Sequence, residues 1–112
     1  MRIAVPLANG RLAMHFGHCE TFALIDADPA TRAITASTTV TPPPHEPGVL
    51  PNYLAEQGAT VIIAGGMGRR AQDLFGAAGI TVVVGASSLD AETLVRQYLE
   101  GTLEAGDNVC DH

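Results

Sequence analysis

The hydrophobic pattern of this chain changes its period at the proline-rich segment 42–48, and this change constrains the fold more than any other feature. Before that segment, short runs at 2–7, 21–27 and 33–41 predict strands, and the turn residues between the last two predict a β-hairpin. After it, apolar residues recur at helical spacing or form continuous runs. We therefore expect an antiparallel first half and a βαβ second half.

The second half is expected to alternate helices with parallel strands. Its predicted elements are a helix from Val49 that stops at Gly58, a strand at 60–64, a helix at 69–78, a strand at 80–84, and a third helix that closes at Gly101. We expect Ser87 or Ser88 to be the N-cap of the third helix. Because 60–64 and 80–84 are apolar throughout, both are expected to be central strands covered on both faces. The predicted class is α/β with a mixed sheet.

The side chains that bind soft or borderline metals lie outside all of these predicted elements. Apart from the initiator methionine, the chain has four His, two Cys and two Met. The candidate metal ligands are His15, His18, Cys19, His45, Cys110 and His112. Imidazole and thiolate bind such metals, and loops hold functional residues without disturbing a core. Met14 and Met67 are better explained as apolar residues that fill gaps in the packing.

Strand direction is expected to bring most of these residues to one edge of the sheet. If strands 2–7, 33–41 and 60–64 run parallel, the loops that follow them open at the same edge. That edge would collect His15, His18, Cys19, His45 and Met67. Residues 8–20 include Asn9-Gly10 and are expected to form a loop, or a short hairpin followed by a loop.

The chain is expected to form a single domain at 1–101 with a flexible tail at 102–112. The third helix should run back toward the opposite edge, which places Cys110 and His112 away from the other candidate ligands. A tail of this length reaches about 36 Å when extended. It could therefore fold back to the site or reach a neighbouring subunit.

A glycine-rich loop is the second candidate constellation. Gly65, Gly66, Met67 and Gly68 follow an apolar strand and open a helix whose first turn holds Arg69 and Arg70. Converging backbone N–H groups, the start of a helix and two guanidinium groups together favour an anion cradle. The loop lacks the Lys-Ser/Thr pair of a P-loop. The alternative is that the glycines allow close packing of strand and helix while the arginines are solvated.

Charge and composition exclude several classes of partner. Twelve Asp and Glu against six Lys and Arg give a net charge of −6, and every basic residue is Arg. An acidic chain without a basic run, and with 4% aromatic residues, is not expected to bind nucleic acid or an anionic membrane. The six-residue apolar run near the N-terminus, which Asn9, Gly10 and Arg11 interrupt, is too short to span a bilayer or to form the core of a signal peptide. We therefore expect a cytoplasmic protein with reduced thiols.

With these residues in view, the chain resembles the dinitrogenase iron–molybdenum cofactor-binding family, which includes the NifX-like proteins, the carrier NafY and the C-terminal domain of NifB. The resemblance covers about residues 1–103. The segments that carry it are Ile3-Ala4-Val5-Pro6, Met14-His15-Phe16-Gly17-His18-Cys19, Val61-Ile62-Ile63-Ala64-Gly65-Gly66-Met67-Gly68 with Arg70-Ala71, Ala78-Gly79-Ile80-Thr81-Val82, and Tyr98-Leu99-Glu100-Gly101-Thr102-Leu103. The His-Phe-Gly and Ala-Gly-Gly-x-Gly segments are specific as a pair.

The resemblance implies a ribonuclease-H-like α/β fold with a five-stranded mixed sheet and three flanking helices. It also implies a non-catalytic protein that binds an anionic metal–sulfur cluster, of iron–molybdenum or molybdenum–copper sulfide type. Family ligand roles map onto His15, and further onto Cys19 and His45, with the loop 65–68 as cluster cradle. The His18-Cys19 pair and the Asn-Val-Cys-Asp-His ending depart from the general pattern and look like a subgroup feature.

The first hypothesis is therefore a cluster-binding or carrier protein that meets metallocluster donor and acceptor proteins, as a monomer or weak homo-oligomer. The alternative is a simple zinc- or copper-ion binder, or a metal or redox sensor, that uses His15, His18, Cys19, Cys110 and His112. An enzyme is the third hypothesis. A nuclease needs converging carboxylates, whereas the first strand ends in Pro6, Leu7 and Ala8. A nucleophilic pair of Cys19 with a neighbouring histidine would require a reactive thiol.

Overall fold

The computed structural model describes residues 1–14, 19–42, 49–86 and 89–103. The elements follow in the order β1 (Arg2–Ala8), β2 (Arg11–Leu12), β3 (Thr21–Asp28), β4 (Ala33–Val40), α1 (Val49–Glu56), β5 (Val61–Ile63), α2 (Arg69–Ala77), β6 (Thr81–Val83) and α3 (Ala91–Glu100). The predicted strands and helices are all present, and β2 confirms the short hairpin. Within these ranges no helix is long and apolar enough to cross a membrane.

β1 is the central strand of one mixed sheet. The strand order is β4-β3-β1-β5-β6, and β2 pairs with the end of β1. β3 runs antiparallel to both β1 and β4, whereas β5 is parallel to β1 and β6 is parallel to β5. This confirms the predicted α/β class, and without the two-residue β2 the order is that of the ribonuclease-H fold.

β1, β4, β5 and β6 therefore point the same way, and the loops that follow them open at one end of the sheet. We call this end the loop edge, and its described residues are 9–14, 19–20, 41–42, 64–68, 84–86 and 89–90. The predicted convergence of the loops after β1, β4 and β5 is confirmed by these strand directions.

Turn chemistry explains the two hairpins. Asn9 and Gly10 have φ values of 55° and 78°, the left-handed pair that a two-residue turn between β1 and β2 requires. At the turn between β3 and β4, the amide of Ala30 donates to Oδ1 of Asp28 at 2.8 Å. This bond lets an Asp side chain replace a backbone acceptor in the turn. The hairpin of β3 and β4 was predicted from its turn residues, and the hairpin of β1 and β2 was one of two alternatives for residues 8–20.

Each face of the sheet carries its own apolar cluster, because side chains alternate along the strands. The first cluster includes Leu54 of α1 and Phe75 of α2, both fully buried. The second includes Ile25 of β3 and Leu94 of α3, also fully buried. β1 contributes to both clusters, so that its placement organises the two layers of helices at once.

The prediction that 80–84 is a central strand was wrong. β6 is an edge strand of the sheet, with Thr81 exposed and Val82 and Val83 half-buried. β-Branched residues suit any strand that packs one face on a core, and the apolar run alone does not reveal that no further strand follows. The run 60–64 is confirmed as an inner strand, since Val61–Ile63 is buried throughout.

The predicted N-cap of the third helix was also wrong. Asp90 caps α3, and its side chain accepts hydrogen bonds from the amide and the hydroxyl of Thr93 at 3.1 and 2.7 Å. Ser87 and Ser88 lie outside the described residues. A carboxylate at the start of a helix satisfies an unpaired amide and also complements the helix dipole. Gly101 ends the helix in the left-handed conformation, as predicted.

The end of the sheet opposite the loop edge is held together by Arg2. Its Nε and Nη2 donate to the two carboxylate oxygens of Asp26 on β3 at 2.7 and 3.1 Å. Its Nη1 donates to the carbonyl of Gln57, which follows α1. One guanidinium therefore joins β1, β3 and the turn that leads into β5.

Replacing Asp90 with Ala should lower the free energy of unfolding by about 1 kcal/mol, because the first turn of α3 loses its cap. The hydroxyl and amide of Thr93 hold the pKa of Asp90 below its usual value of 3.8. The stabilisation should therefore be present above that value and disappear as the pH falls through the lower folded-state pKa. Urea unfolding at pH 7 and pH 3 measures both effects.

Asp73→Ala is the matched control, because Asp73 is exposed within α2 and caps no helix end. It should change the free energy of unfolding by about 0.5 kcal/mol or less. Equal effects of the two substitutions at pH 7 would contradict the assignment of Asp90 as the cap.

Candidate functional site at the loop edge

The loop between β2 and β3 leaves the sheet and returns to it at neighbouring residues of β1. The amide of Ala13 donates to the carbonyl of Pro6 at 2.9 Å, and the amide of Glu20 donates to the carbonyl of Leu7 at 2.7 Å. These two bonds pin both ends of the segment that contains His15 and His18. Those two histidines themselves lie outside the described residues, as do His45, Cys110 and His112.

The start of this loop is seated directly on the glycine-rich loop. A Cβ atom added to Gly65 would lie 3.1 Å from the Cα and the carbonyl oxygen of Met14, and 3.2 Å from the carbonyl oxygen of Ala13. These neighbours are backbone atoms and cannot rotate away. Gly65 therefore serves close packing between two loops, whereas the sequence had offered packing of a strand against a helix as the alternative to an anion cradle.

The same glycine also joins the loop that follows β6. Its carbonyl accepts from the amide of Gly85 at 2.7 Å, and the carbonyl of Ala64 accepts from the amide of Ala86 at 3.2 Å. The ladder between β5 and β6 thus continues beyond the ends of the two strands. Three loops from three parts of the chain meet at Gly65, and backbone contacts fix their relative positions. Sequence analysis missed this role, since a glycine after a buried strand has several explanations.

Gly68, unlike the buried Gly65, is accessible to a ligand. It is exposed, an added Cβ would meet nothing within 4 Å, and it occupies the N-cap of α2 with an extended backbone. Because glycine has no side chain to cap the helix, the first amides of α2 are not satisfied from this position. Arg69 and Arg70 follow immediately, and both are exposed. The start of α2 thus combines a helix dipole with two guanidinium groups.

Met67 and Cys19 lie beneath the loop edge, in the first apolar cluster. Met67 is fully buried, which agrees with a packing role, and its carbonyl accepts from Nε2 of Gln72 at 2.8 Å. Cys19 is also buried, and desolvation raises the pKa of its thiol to about 11. At neutral pH the thiol is therefore protonated, whereas metal ligation and nucleophilic attack both require the thiolate. Met14, in contrast, is exposed.

In the described part of the chain, no three His, Cys, Asp or Glu side chains are close enough to hold a metal ion. The described part of the loop edge instead supplies a floor, formed by the backbone contacts around Gly65, and a positively charged rim, formed by the exposed Arg69 and Arg70. Of the predicted ligands, Cys19 is the one within the described residues, and it does not form a metal site with its described neighbours. The chain enters α3 from the loop edge, where the carbonyl of Leu89 accepts from the amide of Leu12, and Leu103 after α3 is half-buried against the second cluster.

Comparison with known proteins gives a family match and relatives that align with this chain over most of their own length. The family model of the dinitrogenase iron-molybdenum cofactor matches residues 1–101. The protein MJ0580 of Methanocaldococcus jannaschii is 29% identical over 107 residues, which cover 93% of this chain and 90% of that protein.

Two solved structures share the whole fold. The crystal structure of PH0822 superposes with a TM-score of 0.84 at 29% identity, and covers 94% of each chain. The apo form of the orange protein from Desulfovibrio gigas superposes with a TM-score of 0.72 at 28% identity, covering 96% of this chain and 93% of its own.

Replacing Gly65 with Ala should lower the free energy of unfolding by about 1–3 kcal/mol, because the new methyl group overlaps the backbone of the neighbouring loop. Gly68→Ala is the matched control, since its Cβ meets open space. In Gly68→Ala, a poorer N-cap lowers the free energy of unfolding slightly, and the reduced conformational entropy of the unfolded chain raises it slightly. The net change should be within about 1 kcal/mol. Urea unfolding measures both, and similar losses would contradict the packing role of Gly65.

The thiol of Cys19 should react about 100-fold more slowly with iodoacetamide at pH 7.5 than glutathione does, because little thiolate is present. A Cys110→Ser variant leaves Cys19 as the single thiol, and mass spectrometry follows its alkylation. The rate should rise with pH until the pKa of about 11 is approached. A rate within tenfold of glutathione would contradict this environment and would favour a nucleophilic cysteine.

Proposed function

The chain belongs to the dinitrogenase iron-molybdenum cofactor family, and from this premise we propose that it binds an anionic metal–sulfur cluster at the loop edge and carries it between other proteins. The observation that carries the proposal is the meeting of three loops at Gly65, next to the charged start of α2. A fixed floor beside a positively charged rim suits a compact anion. The cluster is the cargo of the protein, held for transfer.

The charge of the cargo is the feature that the described residues recognise. Arg69 and Arg70 carry positive charge and can donate hydrogen bonds to an anion, and they lie in the first turn of α2, whose N-cap Gly68 supplies no side-chain cap. The two ion pairs in the described part of the chain involve Arg2 and Arg96. No ion pair there neutralises Arg69 or Arg70. Both are exposed to solvent, which weakens each interaction and allows the cargo to be released.

Direct contact with the metal is assigned to the histidines of the loops. His15 and His18 lie between the two anchors on β1, and His45 lies between β4 and α1. Neutral imidazole needs no deprotonation near pH 7, whereas binding by Cys19 must displace a proton from a thiol whose pKa is about 11. We therefore propose histidine ligation, with Cys19 in the floor of the site. Cys110 and His112 join only if the tail folds back.

The proposed role is binding without catalysis. Glu20 and Asp90 are the carboxylates of the described loop edge, and each accepts a hydrogen bond, from the amide of Asn9 and from Thr93 respectively. The buried, protonated thiol of Cys19 is unsuited to attack on a substrate. Transfer to an acceptor protein needs only that the acceptor binds the cluster more strongly.

Replacing both Arg69 and Arg70 with Ala should weaken binding of the cluster about tenfold or more, because two charge-assisted contacts are lost. Arg32→Ala is the control, since Arg32 is exposed at the opposite end of the sheet, in the turn between β3 and β4. Protein reconstituted without oxygen, with tetrathiomolybdate plus copper or with an iron–sulfur precursor, is titrated by its charge-transfer absorption. Equal losses in both variants would contradict the role of the arginines.

Metal and sulfide analysis of the reconstituted protein tests the proposal itself. Stoichiometric metal together with inorganic sulfide is expected, and His15→Ala should reduce both. Bound zinc or copper without sulfide would overturn cluster binding and favour a simple metal-ion binder. Absence of both metal and charge-transfer absorption would overturn either function.

A further inference from the structure

β4 forms an exposed edge of the sheet along its whole length. It is the terminal strand of the order β4-β3-β1-β5-β6 and pairs on its inner side with β3. All of its residues are exposed except Ile34 and Val40, which are half-buried. α3 contacts β4, where Ile34 packs against the second apolar cluster, but residues 35–39 are exposed. Alternate residues of such a strand direct their N–H and C=O groups outward, toward a further strand.

Proteins usually protect such an edge with charges, prolines or bulges. β4 has one bulge, at Thr35, where the register moves from Asp26–Ala36 to Ala27–Ile34 and the Thr35 hydroxyl donates to the carbonyl of Asp26. Beyond the bulge, the pentad 36–40 pairs regularly with β3. It has no charge, proline or glycine, and no Asp, Glu, Lys or Arg lies between Arg32 and Glu46.

The side chains of this pentad are arranged symmetrically about Thr38. Ser37 and Thr39 on either side both carry hydroxyl groups, and Ala36 and Val40 are both aliphatic. An antiparallel copy centred on Thr38 would therefore place hydroxyl opposite hydroxyl and aliphatic opposite aliphatic. Such cross-strand pairs stabilise a sheet, and a two-fold axis requires a segment of this kind to complement itself.

We propose that β4 is a homodimerisation edge, at which a second copy of this chain adds its own β4 antiparallel, centred on Thr38. The two sheets then form one continuous sheet. Each chain has a net charge of −6, and the uncharged pentad is a part of the surface where two copies can approach with the least like-charge repulsion. The contact is short, so the dimer is weak and depends on concentration.

The geometry of the pair leaves the proposed cargo site untouched. Since the strands are antiparallel, the loop edges of the two copies lie at opposite ends of the dimer. Residues 36–39 of β4 are exposed, so no described helix covers the strand at the proposed two-fold axis. Dimerisation is therefore independent of the cargo, and its test requires no cluster.

The opposite edge of the sheet provides a matched control. β6 has three residues, and Thr81 on it is exposed. Sedimentation equilibrium from about 10 μM to 1 mM should show a reversible dimer in the wild type, as expected for a small interface. Thr38→Lys places two like charges at the two-fold axis and should weaken the dimer about tenfold or more. Thr81→Lys should leave it unchanged.

A monomeric wild type across that range would overturn the proposal, and so would a dimer that Thr81→Lys weakens as much as Thr38→Lys. Circular dichroism and thermal unfolding of both variants exclude loss of the fold as the cause.

A cysteine substitution gives a positive test of the register. Residues that face each other across an antiparallel pair have Cα atoms about 4.5–5.5 Å apart, within the range that a disulfide spans. In a Cys110→Ser background, Thr38→Cys should form a covalent dimer under mild oxidation, because residue 38 meets its own copy. Thr81→Cys should remain monomeric. Equal cross-linking of both variants, or none with Thr38→Cys, would contradict pairing centred on Thr38.

Discussion

The placement of β1 between β3 and β5 is the constraint on which the rest of the structure depends. β1 is antiparallel to β3 and parallel to β5, and it contributes side chains to the apolar clusters on both faces of the sheet. Its direction brings the loops after β1, β4 and β5 to one end. Its last residues, Pro6 and Leu7, then anchor both ends of the loop that holds His15 and His18.

The overall charge of the chain and the local charge of the candidate site act in opposite directions. A net charge of −6 opposes binding to extended polyanions such as nucleic acid. Arg69 and Arg70 are exposed at the start of α2, where the proposed compact anion would meet positive charge. In physiological salt, electrostatic interactions between exposed charges are screened beyond about 8 Å. The electrostatic potential at the start of α2 is therefore set mainly by the nearby arginines and little by distant acidic residues. A small anionic cargo and an acidic carrier are therefore compatible.

Most elements of the fold were predictable because their signals are local. Asn9-Gly10 specifies a left-handed turn, and the runs around Ile25 and Ile62 suit buried strands. β6 was misplaced because Val82 and Val83 look the same in an edge strand as in a central one. The cap of α3 was misplaced because Ser87, Ser88 and Asp90 are all good caps, and the choice depends on where the chain leaves the sheet.

The amino-acid sequence by itself determined the α/β class, the hairpins, the family resemblance and the set of candidate ligands, since each depends on residue type and on spacing along the chain. Only the tertiary structure decided how the glycines divide their roles. Gly65 is packed against the backbone of Met14, whereas Gly68 faces solvent at the start of α2. It also decided that Cys19 is buried, which raises the pKa of its thiol to about 11. Both outcomes depend on contacts between segments distant in sequence, which local pattern does not encode.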